Sequence, residues 1–454
     1  MTRAALVVDL GFGDAGKGLV TDALVRSLHA TLVVRFNGGA QAGHNVVTPD
    51  GRHHTFAQIG AGSFVPGVRT HLGARLVVHP TALGVEALHL AAAGVPDALD
   101  RLSVSERALV ITPFHQAANR LRELGRGAGR HGSCGVGVGE AVADALARPG
   151  EALHMGDFRD PARMRTALRR LQADKRAELA SVTAALAGVP AAEAERRVLE
   201  DATVIDRWLT AAAGVVARIA VVDEAWLGAV LAGAEAVVLE GAQGVLIDEW
   251  VGFHPHTTYS TCTFDGALEL LRDHGHVGEI VRVGVLRTYL VRHGEGPLPT
   301  EDASLGALPE PHNAHGPWQG SVRRGWPDAL LARYAAAACG GVDMVALTHL
   351  DALARVQAWR VCRGYRLEGA DPGLFDRDGD PGIAVGIRLP RGREVERQAA
   401  LGAALARVSP VYEEVSWSRG EAGAEEAMAF FEEVLGAPVG LAAWGPSARD
   451  VRRR

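Results

Sequence analysis

A glycine-rich loop near the start of the chain carries the strongest chemical signal in the sequence. It reads Gly-Phe-Gly-Asp-Ala-Gly-Lys-Gly over residues 11–18, after an apolar run and before a helical pattern. Glycines let backbone N–H groups approach phosphate oxygens, and the positive end of the following helix adds to that attraction. The spacing up to Lys17 matches the Walker A pattern, but Gly18 stands where a P-loop has the hydroxyl residue that holds Mg²⁺. We therefore predict a phosphate-binding loop of a different kind, in which Asp14 is a metal ligand or a base; a tight glycine turn is the structural alternative.

A second polar segment, residues 35–45, follows the next apolar run. Its small residues permit close approach of a ligand, and its side-chain donors and acceptors are Asn37, Gln41, His44 and Asn45. A histidine in this setting suits a general acid that works near neutral pH. A histidine with a purely structural hydrogen bond fits the segment equally well when it is taken alone.

Two later segments offer binding groups. Residues 132–139 form a second glycine-rich loop and a second candidate anion site, which leads into a helix that ends near Arg148. The run Glu-Gly-Ala-Gln-Gly at 240–244 ends a strand, and Gln243 has the right chemistry to bind an amide-like or purine edge. His254 and His256 lie nearby, but two histidines without a further Cys or His cluster do not indicate a metal site.

Charged residues lie on one further loop and at one further strand end. Arg323 and Arg324 are adjacent on a glycine-containing loop, which suits bidentate binding of carboxylate or phosphate, although a solvated loop is an equal alternative. The run Leu-Thr-His-Leu-Asp at 347–351 ends a strand. There Asp351 could accept hydrogen bonds from the N1 and N2 donors of guanine, or simply cap the strand end.

These segments lie between short apolar runs and helical patterns that alternate along the chain. The alternation predicts an α/β fold, with a large, mostly parallel, P-loop-like sheet and helices on both of its faces. Predicted strands are Ala4–Leu10, Leu32–Phe36, Leu76–His79, Leu109–Thr112, Ala236–Leu239, Ile280–Leu286 and Met344–Thr348, and predicted helices include Leu19–Leu28, Ala82–Ala93, Phe264–Asp273, Asp328–Ala338 and Ala422–Leu435.

Two regions interrupt the alternation. Residues 160–217 are rich in Ala, Arg, Glu and Leu at helical spacing, which predicts a helical insertion. Residues 366–396 hold many Gly, Pro and Asp and predict turns with short strands. Since no repeat or low-complexity linker occurs, we expect a single domain over residues 1–454.

Composition excludes several classes of protein. The 454 residues carry a formal charge of −6, so we expect no nucleic-acid partner. No apolar run reaches about 18 residues and the N-terminus lacks a signal peptide, so we expect a cytoplasmic protein without a membrane span. Four dispersed cysteines argue against a disulfide framework or a structural zinc site. Only Lys17 and Lys175 among the 47 basic residues are lysines, which indicates that the loop needs the compact ammonium group of Lys17.

Six motifs, in this order, resemble the adenylosuccinate synthetase family from Leu6 to about Pro446. They are GDxGKG at 13–18, AGHN at 42–45, EGAQG at 240–244, GPLPTE at 296–301, RRGWPD at 323–328 and LTHLD at 347–351. The resemblance implies a large, mostly parallel α/β fold that acts as a homodimer. It also implies a ligase reaction in which GTP phosphorylates the 6-oxygen of IMP and L-aspartate then displaces the phosphate.

The resemblance also assigns roles to individual residues. Asp14 would take the N1 proton of the purine and bind Mg²⁺ together with the carbonyl of Gly43, while His44 would act as an acid toward the β-phosphate of GTP. GTP would be held by Gly13, Gly16, Lys17, Gly18, Arg323, Asp351 and Gly445. The purine nucleoside monophosphate would be held by Asn37, Gln41, Ser133, Cys134, Gln243 and Thr258, with Arg148 reaching it across the dimer interface.

The sequence departs from the family pattern at several of these motifs. Phe12 and Ala15 replace a Trp and a Glu in the first loop, and His349 replaces the lysine of the guanine-reading motif, which leaves the choice between GTP and ATP open. The family's carboxylate-binding loop usually reads Thr-Thr-Gly-Arg. Here it reads Trp-Gln-Gly-Ser at 318–321, and the loop is one residue shorter than in the family. An arginine expected to bind the aspartate carboxylates is therefore missing, and its loss would typically weaken binding about 10²-fold.

Alternatives follow from this departure. The aspartate site could be rebuilt through Arg324 or Arg287, or the protein could be a specialised paralogue that uses another amine or a modified purine nucleotide. A regulatory GTP-binding protein is a rival of another class, against which the joint presence of Asp14, Lys17 and His44 argues. A dinucleotide-binding oxidoreductase is poorly supported, because no acidic residue ends the second strand, where a ribose would bind.

Overall fold

Strands and helices alternate over most of the chain in the computed structural model, which describes residues 2–313, 316, 318–418 and 420–454. The strands are β1 Arg3–Asp9, β2 Leu32–Arg35, β3 His44–Val47, β4 His53–Phe56, β5 Arg69–Leu72, β6 Val77–Val78, β7 Leu102–Ser105, β8 Leu109–Val110, β9 Ala220–Val222, β10 Ala236–Gly244, β11 Glu279–Arg287, β12 Leu290–His293, β13 Val322–Gly325, β14 Met344–Thr348, β15 Trp359–Arg366, β16 Phe375–Arg377, β17 Ile383–Ile387, β18 Ser409–Val415, β19 Val439–Ala443 and β20 Val451–Arg453. The helices are α1 Lys17–Leu28, α2 Pro80–Ala92, α3 Pro113–Arg126, α4 Val138–Ala147, α5 Pro161–Glu178, α6 Ala180–Ala185, α7 Pro190–Glu200, α8 Thr203–Val216, α9 Glu224–Gly233, α10 Asp265–Asp273, α11 Ala329–Ala338, α12 Val395–Leu405 and α13 Gly420–Leu435.

A ten-stranded sheet forms the centre of the molecule. Its order is β20-β19-β14-β11-β1-β10-β2-β5-β7-β9, and neighbouring strands are parallel except for the β19–β20 pair at one edge. Strand β1 lies in the middle, where Leu6 is opposite Leu239 on one side and Arg282 on the other. The predicted fold, a mostly parallel α/β sheet, is confirmed.

Both faces of this sheet are buried, which explains the apolar run in β1. Successive strand residues point to opposite faces. Leu6 and Val8 accordingly belong to one core cluster, while Ala5 and Val7 belong to another. A strand that is covered on both faces needs apolar side chains at every position, and this is the pattern that the sequence shows.

The far half of the sheet differs from the sequence-based expectation. The predicted strands at 76–79 and 109–112 shorten to β6 and β8, which pair with each other outside the large sheet. Strands β5, β7 and β9 occupy the sheet instead. They were missed because polar residues such as His71 and Ser103 interrupt the apolar pattern; in the fold, these two side chains bond to each other at 3.0 Å.

The predicted helical insertion is present. Helices α5 to α8 fill residues 161–216, and Met164 and Leu168 of α5 pack into the same core cluster as Leu121 of α3. Farther along the chain, β16, β17, β15 and β18 form a separate antiparallel sheet, so the region of turns and short strands is larger than residues 366–396. The division of the chain into a single domain stays a prediction.

Two further observations concern the described part of the chain. No helix there is long and apolar enough to cross a membrane. All four cysteines have free thiols.

Candidate active site

The carboxyl ends of the parallel strands gather the motifs at one edge of the sheet. The glycine loop follows β1, Asn37 follows β2, and Gln243 lies at the end of β10. Arg287 ends β11 and His349 follows β14. In open α/β sheets, ligands bind in the crevice outside these strand ends. Residues more than 300 positions apart in sequence therefore meet at one place.

Asp9 shapes the glycine loop from within. Its carboxylate accepts hydrogen bonds from the backbone N–H groups of Gly11 (2.8 Å) and Ala15 (2.9 Å) and from the ammonium group of Lys17 (2.9 Å). Both charged side chains are almost completely buried. On the other side, the hydroxyl of Thr348 donates to the carbonyl of Ala15 at 2.7 Å. The loop is thus fixed before any ligand arrives, with Lys17 held ready in it.

Two glycines of the loop are required by their surroundings. Gly16 has a φ of +96°, and a Cβ there would lie 3.2 Å from Cγ2 of Thr348. A Cβ at Gly18 would lie 2.7 Å from the backbone oxygen of Asn45. Glycine at position 18 therefore lets the loop approach the strand that carries His44, while Gly13 lies half-buried in the same loop.

His44 is paired with a buried carboxylate. Its Nδ1 lies 2.6 Å from Oε1 of Glu240, whose other oxygen accepts from the backbone N–H of Ala61 at 3.0 Å. Burial lowers the pKa of His44 to about 4, so its ring is neutral at neutral pH. Burial opposes ionisation of Glu240 too, but the charge of Arg35 outweighs it and the pKa of Glu240 is lowered. An ionised carboxylate cannot donate, so Nδ1 carries the proton and Nε2 is left free for a substrate.

Asp14 is paired with a histidine that the sequence analysis did not identify. Its Oδ2 lies 3.1 Å from Nε2 of His293, the last residue of β12. Burial alone would raise the pKa of Asp14. The hydrogen bond from His293 and the charges of Lys17 and Arg287 outweigh it, and the pKa of Asp14 is lowered. The bond to Asp14 in turn raises the pKa of His293, so the carboxylate stabilises the protonated form of this ring.

Backbone strain is concentrated at this edge of the sheet. Five non-glycine residues in the described chain have a positive φ, and three of them are Asp14 (61°), Gln243 (59°) and His349 (61°). Such conformations cost of the order of 1–3 kcal/mol each and cluster at functional sites. The strain therefore supports a functional role for the strand ends.

Two glutamines present unsatisfied oxygens beside the loop after β2. The Oε1 atoms of Gln41 and Gln243 are buried without a hydrogen-bond partner in the described residues. They lie next to adjacent glycines, since a Cβ would be 2.9 Å from Gln41 Oε1 at Gly39 and 2.8 Å from Gln243 Oε1 at Gly38. A buried acceptor without a donor costs about 1–3 kcal/mol. Both side chains are thus positioned to bind a ligand that offers donors.

Asn37 has a different use in the structure. Its Oδ1 accepts from the N–H of Ala242 at 2.8 Å, and its Nδ2 donates to the carbonyl of Thr261 at 2.9 Å. The side chain therefore holds the end of β2 against β10, and its contact with a monophosphate stays a prediction. Thr258 lies half-buried, and its N–H donates to the carbonyl of Ile247 at 2.8 Å.

An internal carboxylate fills the second predicted anion loop. The N–H groups of Gly132 and Ser133 donate to Oε2 of Glu123 at 3.1 and 3.3 Å, and the Ser133 hydroxyl donates to Asn119 at 3.1 Å. Burial raises the pKa of the neighbouring Cys134 thiol, which is therefore uncharged. The loop has the geometry of an anion site, but its anion in this structure is Glu123.

Two predicted arginines contact residues of their own chain. Arg148 follows α4 and donates to Asp174 at 2.6 Å. The three donor nitrogens of Arg323 reach the carbonyls of Gly294 and Gly296 and the carboxylate of Glu301 at 2.6–2.8 Å. Arg323 therefore braces the turn at 294–301, and its contact with phosphate or amino acid stays a prediction.

Asp351 is predicted to read guanine, and Gly445 is predicted to lie near it. Asp351 is exposed and follows β14. Burial raises its pKa, and the charge of Asp450 adds to the increase. A Cβ at Gly445 would lie 2.8 Å from Cγ of the same Asp450. Asp450 thus lies beside Gly445 and acts on Asp351, and the contact of either residue with a guanine base stays a prediction.

The oxygen donors at this edge fit a magnesium ion that is held mainly by a nucleotide. The described residues contain no group of three or more His, Cys, Asp or Glu side chains that could hold a metal ion. Mg²⁺ commonly binds one or two protein oxygens, waters and substrate phosphates. The Asp14 carboxylate and the carbonyl of the exposed Gly43 are oxygens of this kind.

Sequence reasoning proposed candidate reactive residues but missed the groups that hold them in the structure. Asp9 left a signal, because it is the single charge in an apolar strand run. Glu240 and Glu123 lie within or near predicted motifs, but the pattern does not show what they contact. Nothing in the sequence marks His293, since its partner Asp14 lies 279 positions away.

A strained phosphate loop and a buried His–Glu pair thus meet at the carboxyl edge of a parallel sheet. This combination defines an enzyme that transfers phosphoryl groups from nucleotides.

The comparisons with known proteins make the assignment specific. The family model for adenylosuccinate synthetase matches residues 6–451, and the chain belongs to this family. It is therefore a GTP-dependent carbon–nitrogen ligase. The adenylosuccinate synthetase of Mycobacterium tuberculosis is 32% identical over 99% of this chain and 98% of its own length. That of Marinomonas is 31% identical over 99% and 98%.

Solved structures share the fold. The fully ligated adenylosuccinate synthetase of Plasmodium falciparum superposes with a TM-score of 0.75, at 22% identity over 99% of both chains. The succinoaminodeoxyadenylate synthetase of cyanophage S-2L, bound to dGMP and dATP, gives a TM-score of 0.60 at 19% identity over 100% of this chain and 95% of its own. At these identities the likeness concerns the fold.

Proposed function

We propose that this chain uses GTP to phosphorylate the 6-oxygen of IMP and that L-aspartate then displaces the phosphate, giving adenylosuccinate, GDP and phosphate. The names of the relatives favour this pairing over another amine or a modified purine. The observation that carries the proposal is the placement of Asp14, Lys17 and His44 on two segments in direct contact, each side chain held by a buried or half-buried titratable partner.

Activation of the purine oxygen explains the need for a base. The C6–O group of IMP is amide-like and a poor leaving group. Asp14 is ionised, so its carboxylate can take the N1 proton and leave negative charge on O6. O6 then forms a bond to the γ-phosphorus as the bond to the β-phosphate oxygen breaks. In the second step the aspartate nitrogen bonds to C6, and phosphate leaves with the C6–O electron pair.

His44 and Lys17 serve the departing GDP. The neutral ring of His44 takes up a proton once the negative phosphates arrive, and the Glu240 carboxylate stabilises the resulting positive charge. Nε2 can then donate to the β-phosphate oxygen as its bond to the γ-phosphorus breaks. Lys17, now bonded to Asp9, supplies a full positive charge to the phosphates.

Asp14 and the carbonyl of Gly43 would hold Mg²⁺ together with the phosphates. When bound, the ion neutralises phosphate charge and polarises the transferred group. Among the substrate contacts, the free oxygens of Gln41 and Gln243 suit the nucleoside monophosphate. The exposed carboxylate of Asp351 suits guanine, because it can accept from two neighbouring N–H donors.

We further propose that the enzyme is a homodimer. Leu146 on α4 is 71% exposed and Tyr259 is 52% exposed. They belong to one surface, because a Cβ at Gly139 of α4 would lie 3.0 Å from the Tyr259 ring. Arg148 follows Leu146 on this surface and would reach the monophosphate of the partner subunit.

A direct assay tests the proposal. Purified protein with Mg²⁺, GTP, IMP and L-aspartate should release phosphate and form adenylosuccinate, measured by phosphate assay and mass spectrometry. Asp14→Asn should lower kcat by about 10²- to 10⁴-fold, the usual contribution of general acid–base catalysis. Asp378→Asn, an exposed loop change, is the matched control. Absence of IMP-dependent phosphate release with any amine would refute the proposal.

A further inference from the structure

Arg287 is a buried cation whose hydrogen bonds are incomplete. Only 5% of its side chain is exposed, and Nη2 lies 2.9 Å from Oε1 of Glu310. The guanidinium carbon lies 4.6 Å from the centre of the Tyr289 ring. Its Nη1 is buried and has no acceptor in the described residues. The charge of Asp14 acts on Arg287, which places this arginine beside the catalytic loop.

Arg324 is a second incompletely bonded cation in the same place. It lies on β13, opposite Val291 of β12. Its Nε is buried and bonds to nothing in the described part of the chain. Arg324 and Arg287 both oppose the effect of burial on the Tyr289 hydroxyl, whose pKa is raised, so both guanidinium groups lie near Tyr289.

Glu310 lies between these groups. Its Oε1 accepts from the Tyr289 hydroxyl at 2.6 Å as well as from Arg287, and only 5% of its side chain is exposed. Glu310 also contributes to the raised pKa of His293, which links it to the Asp14–His293 pair. Glu310 lies in the segment between β12 and β13, so a loop and not a strand of the large sheet supplies this carboxylate.

Counting charges shows that one anion is missing. Among the described residues, Glu310 pairs with Arg287, and no carboxylate pairs with Arg324. His349 contacts Arg287 at 2.6 Å but adds no charge, because burial holds its pKa well below its usual range. A cluster with one unbalanced positive charge and two unsatisfied guanidinium nitrogens has the chemistry of a binding site for a dicarboxylate.

We propose that Arg287 and Arg324 bind the two carboxylates of the amino-acid substrate, and that Glu310 occupies the position of one of them in the free protein. The inference rests on the proposed function, since it names the site for the second substrate of that reaction. It also accounts for Ser321, where the family resemblance leads one to expect a carboxylate-binding arginine. Two arginines on neighbouring elements supply the charge that Ser321 cannot.

A phosphate of GTP is the other oxyanion that these arginines could bind. The internal occupant favours a carboxylate, because a guanidinium and a tyrosine hydroxyl already hold the carboxylate of Glu310 there. The two sources predict different kinetic effects, so steady-state measurements with each substrate varied in turn distinguish them.

Arg324→Gln is the first test, because its side chain is only half-buried and forms no ion pair with the described residues, so the fold should tolerate the change. Loss of one charge-assisted contact should raise the KM for L-aspartate roughly ten- to a hundredfold. The KM values for GTP and IMP should stay within about twofold, as should all three in the exposed control Arg272→Gln. An unchanged KM for aspartate, or an equal rise in the KM for GTP, would overturn the inference.

Glu310→Gln is the second test. It shows whether Glu310 competes with the substrate carboxylate for the arginines or instead stabilises Arg287. If Glu310 holds the place of the substrate, removal of its charge should lower the KM for aspartate several-fold. If Glu310 only stabilises Arg287, the same change should raise the KM for aspartate. The inference that Glu310 occupies the position of a substrate carboxylate would then be wrong. Arg287→Lys, measured alongside, should raise the KM for aspartate because a single ammonium cannot replace the guanidinium fork.

An isotope-exchange experiment separates this inference from the proposed function. GTP labelled with ¹⁸O at the β–γ bridge should scramble its label when IMP is added without an amino acid, because phosphoryl transfer is reversible. Scrambling by the wild type and by Arg324→Gln alike, with a raised aspartate KM only in the variant, supports both. No scrambling and no product in the wild type would refute the proposed function itself. Scrambling in the wild type with an unchanged aspartate KM in the variant would refute only the carboxylate site.

Discussion

At the scale of single residues, the site depends on how each reactive side chain is held. His44 bonds to Glu240 through Nδ1, and its other ring nitrogen forms no hydrogen bond with the residues that the structure describes. Likewise, Lys17 bonds to Asp9 and Asp14 bonds to His293 in the free protein. Asp9 holds the charge of Lys17, while Glu240 fixes the orientation of the neutral His44 ring.

Removal of the proposed acid tests the role of His44. His44→Gln should lower kcat by about 10²- to 10⁴-fold, the usual range for a general acid. The KM for GTP should change less than kcat, because His44 gives its proton to the β-phosphate oxygen only as the bond to the γ-phosphorus breaks. Steady-state kinetics would measure both values. The exposed His89→Gln on α2 is the control, and an unchanged kcat in His44→Gln would contradict the role.

The residue types of the site were predictable, but their partners were not. Lys17 stands out because lysine is rare in this chain, and Asp14 because it interrupts a glycine loop. His293 and Glu310 gave no signal, since each acts through a residue far away in sequence. Arg323 was predicted from its neighbours to contact substrate, and the structure shows it bound to the turn at 294–301. Composition indicates what a side chain can bind but not what lies beside it.

At the scale of elements, a buried lysine joins the helical insertion to the helix after the second anion loop. Lys175 of α5 is 1% exposed and contacts Glu140 and Asp144 of α4 at 3.0 and 2.8 Å. Burial alone would lower its pKa, but these carboxylates outweigh that effect and the pKa is raised. The loop that holds Ser133 and Cys134 leads directly into α4, so Lys175 fixes the position of that loop from behind.

Lys175→Met should therefore affect both stability and the binding of IMP. It removes the buried cation from Glu140 and Asp144, but Glu140 keeps Arg122 at 2.9 Å, so the cost should fall below the roughly 3–5 kcal/mol of a fully broken buried pair. The KM for IMP should rise while the KM for GTP stays constant, because Lys175 contacts the helix after the second anion loop, whereas GTP is expected at the glycine loop after β1. Urea unfolding and kinetics measure these effects. Arg176→Met, one residue along and exposed, should change neither.

A capping aspartate makes the stability of α11 depend on pH. Asp328 accepts from the N–H groups of Leu330 and Leu331, and the Tyr365 hydroxyl donates to it at 2.6 Å. Burial raises its pKa to about 6, whereas an unfolded aspartate has a pKa near 3.9. Between these values the folded state binds a proton that the unfolded state does not. Stability therefore falls as pH rises from about 4 to about 6, by about 3 kcal/mol from this group.

Asp328→Asn should remove that dependence, since an amide can cap the helix but does not ionise. The variant should gain about 3 kcal/mol relative to the wild type between pH 4 and pH 7, measured as the difference in the free energy of urea unfolding. Exposed Asp378→Asn should follow the wild type across the range. A constant difference between Asp328→Asn and the wild type at all pH values would contradict the assignment.

Elements were predicted well where both faces of a strand are apolar and poorly where polar groups are paired inside. Strands β1, β2, β10, β11 and β14 follow from their apolar runs. Strands β5 and β7 include His71 and Ser103, whose hydrogen bond satisfies both side chains only after the strands have paired. That compensation is a tertiary contact, so no local pattern reveals it.

At the scale of the whole molecule, the sheet order assembles the site. Strand β1 lies between β10 and β11, although more than 220 residues separate it from either of them in sequence. The motifs predicted that their strand ends would converge, but not which strands would be neighbours. The resemblance to the family supplied the expected fold, and the register of β1 explains why the glycine loop, Gln243 and Arg287 share one crevice.

Arg148 variants test whether the protein acts as a dimer. In one subunit Arg148 bonds to Asp174 on the surface that also exposes Leu146. If it completes the site of the partner subunit, Arg148→Ala and Asp14→Asn should each be nearly inactive alone. A mixture should regain up to about a quarter of wild-type activity, because half of the dimers at equal mixing are hybrids with one intact site.

The mixing experiment needs subunits that exchange, which a change in mass between tagged and untagged chains would verify. The control mixes Asp14→Asn with His44→Gln, two changes in the same half of the site, whose hybrid dimers have no intact site. Sedimentation should show a dimer that Leu146→Glu weakens, since a charge would be buried in an apolar interface. If Arg148 acts within its own subunit, the first mixture stays inactive even after verified exchange, and the surface of Leu146 and Tyr259 then has no part in binding the monophosphate.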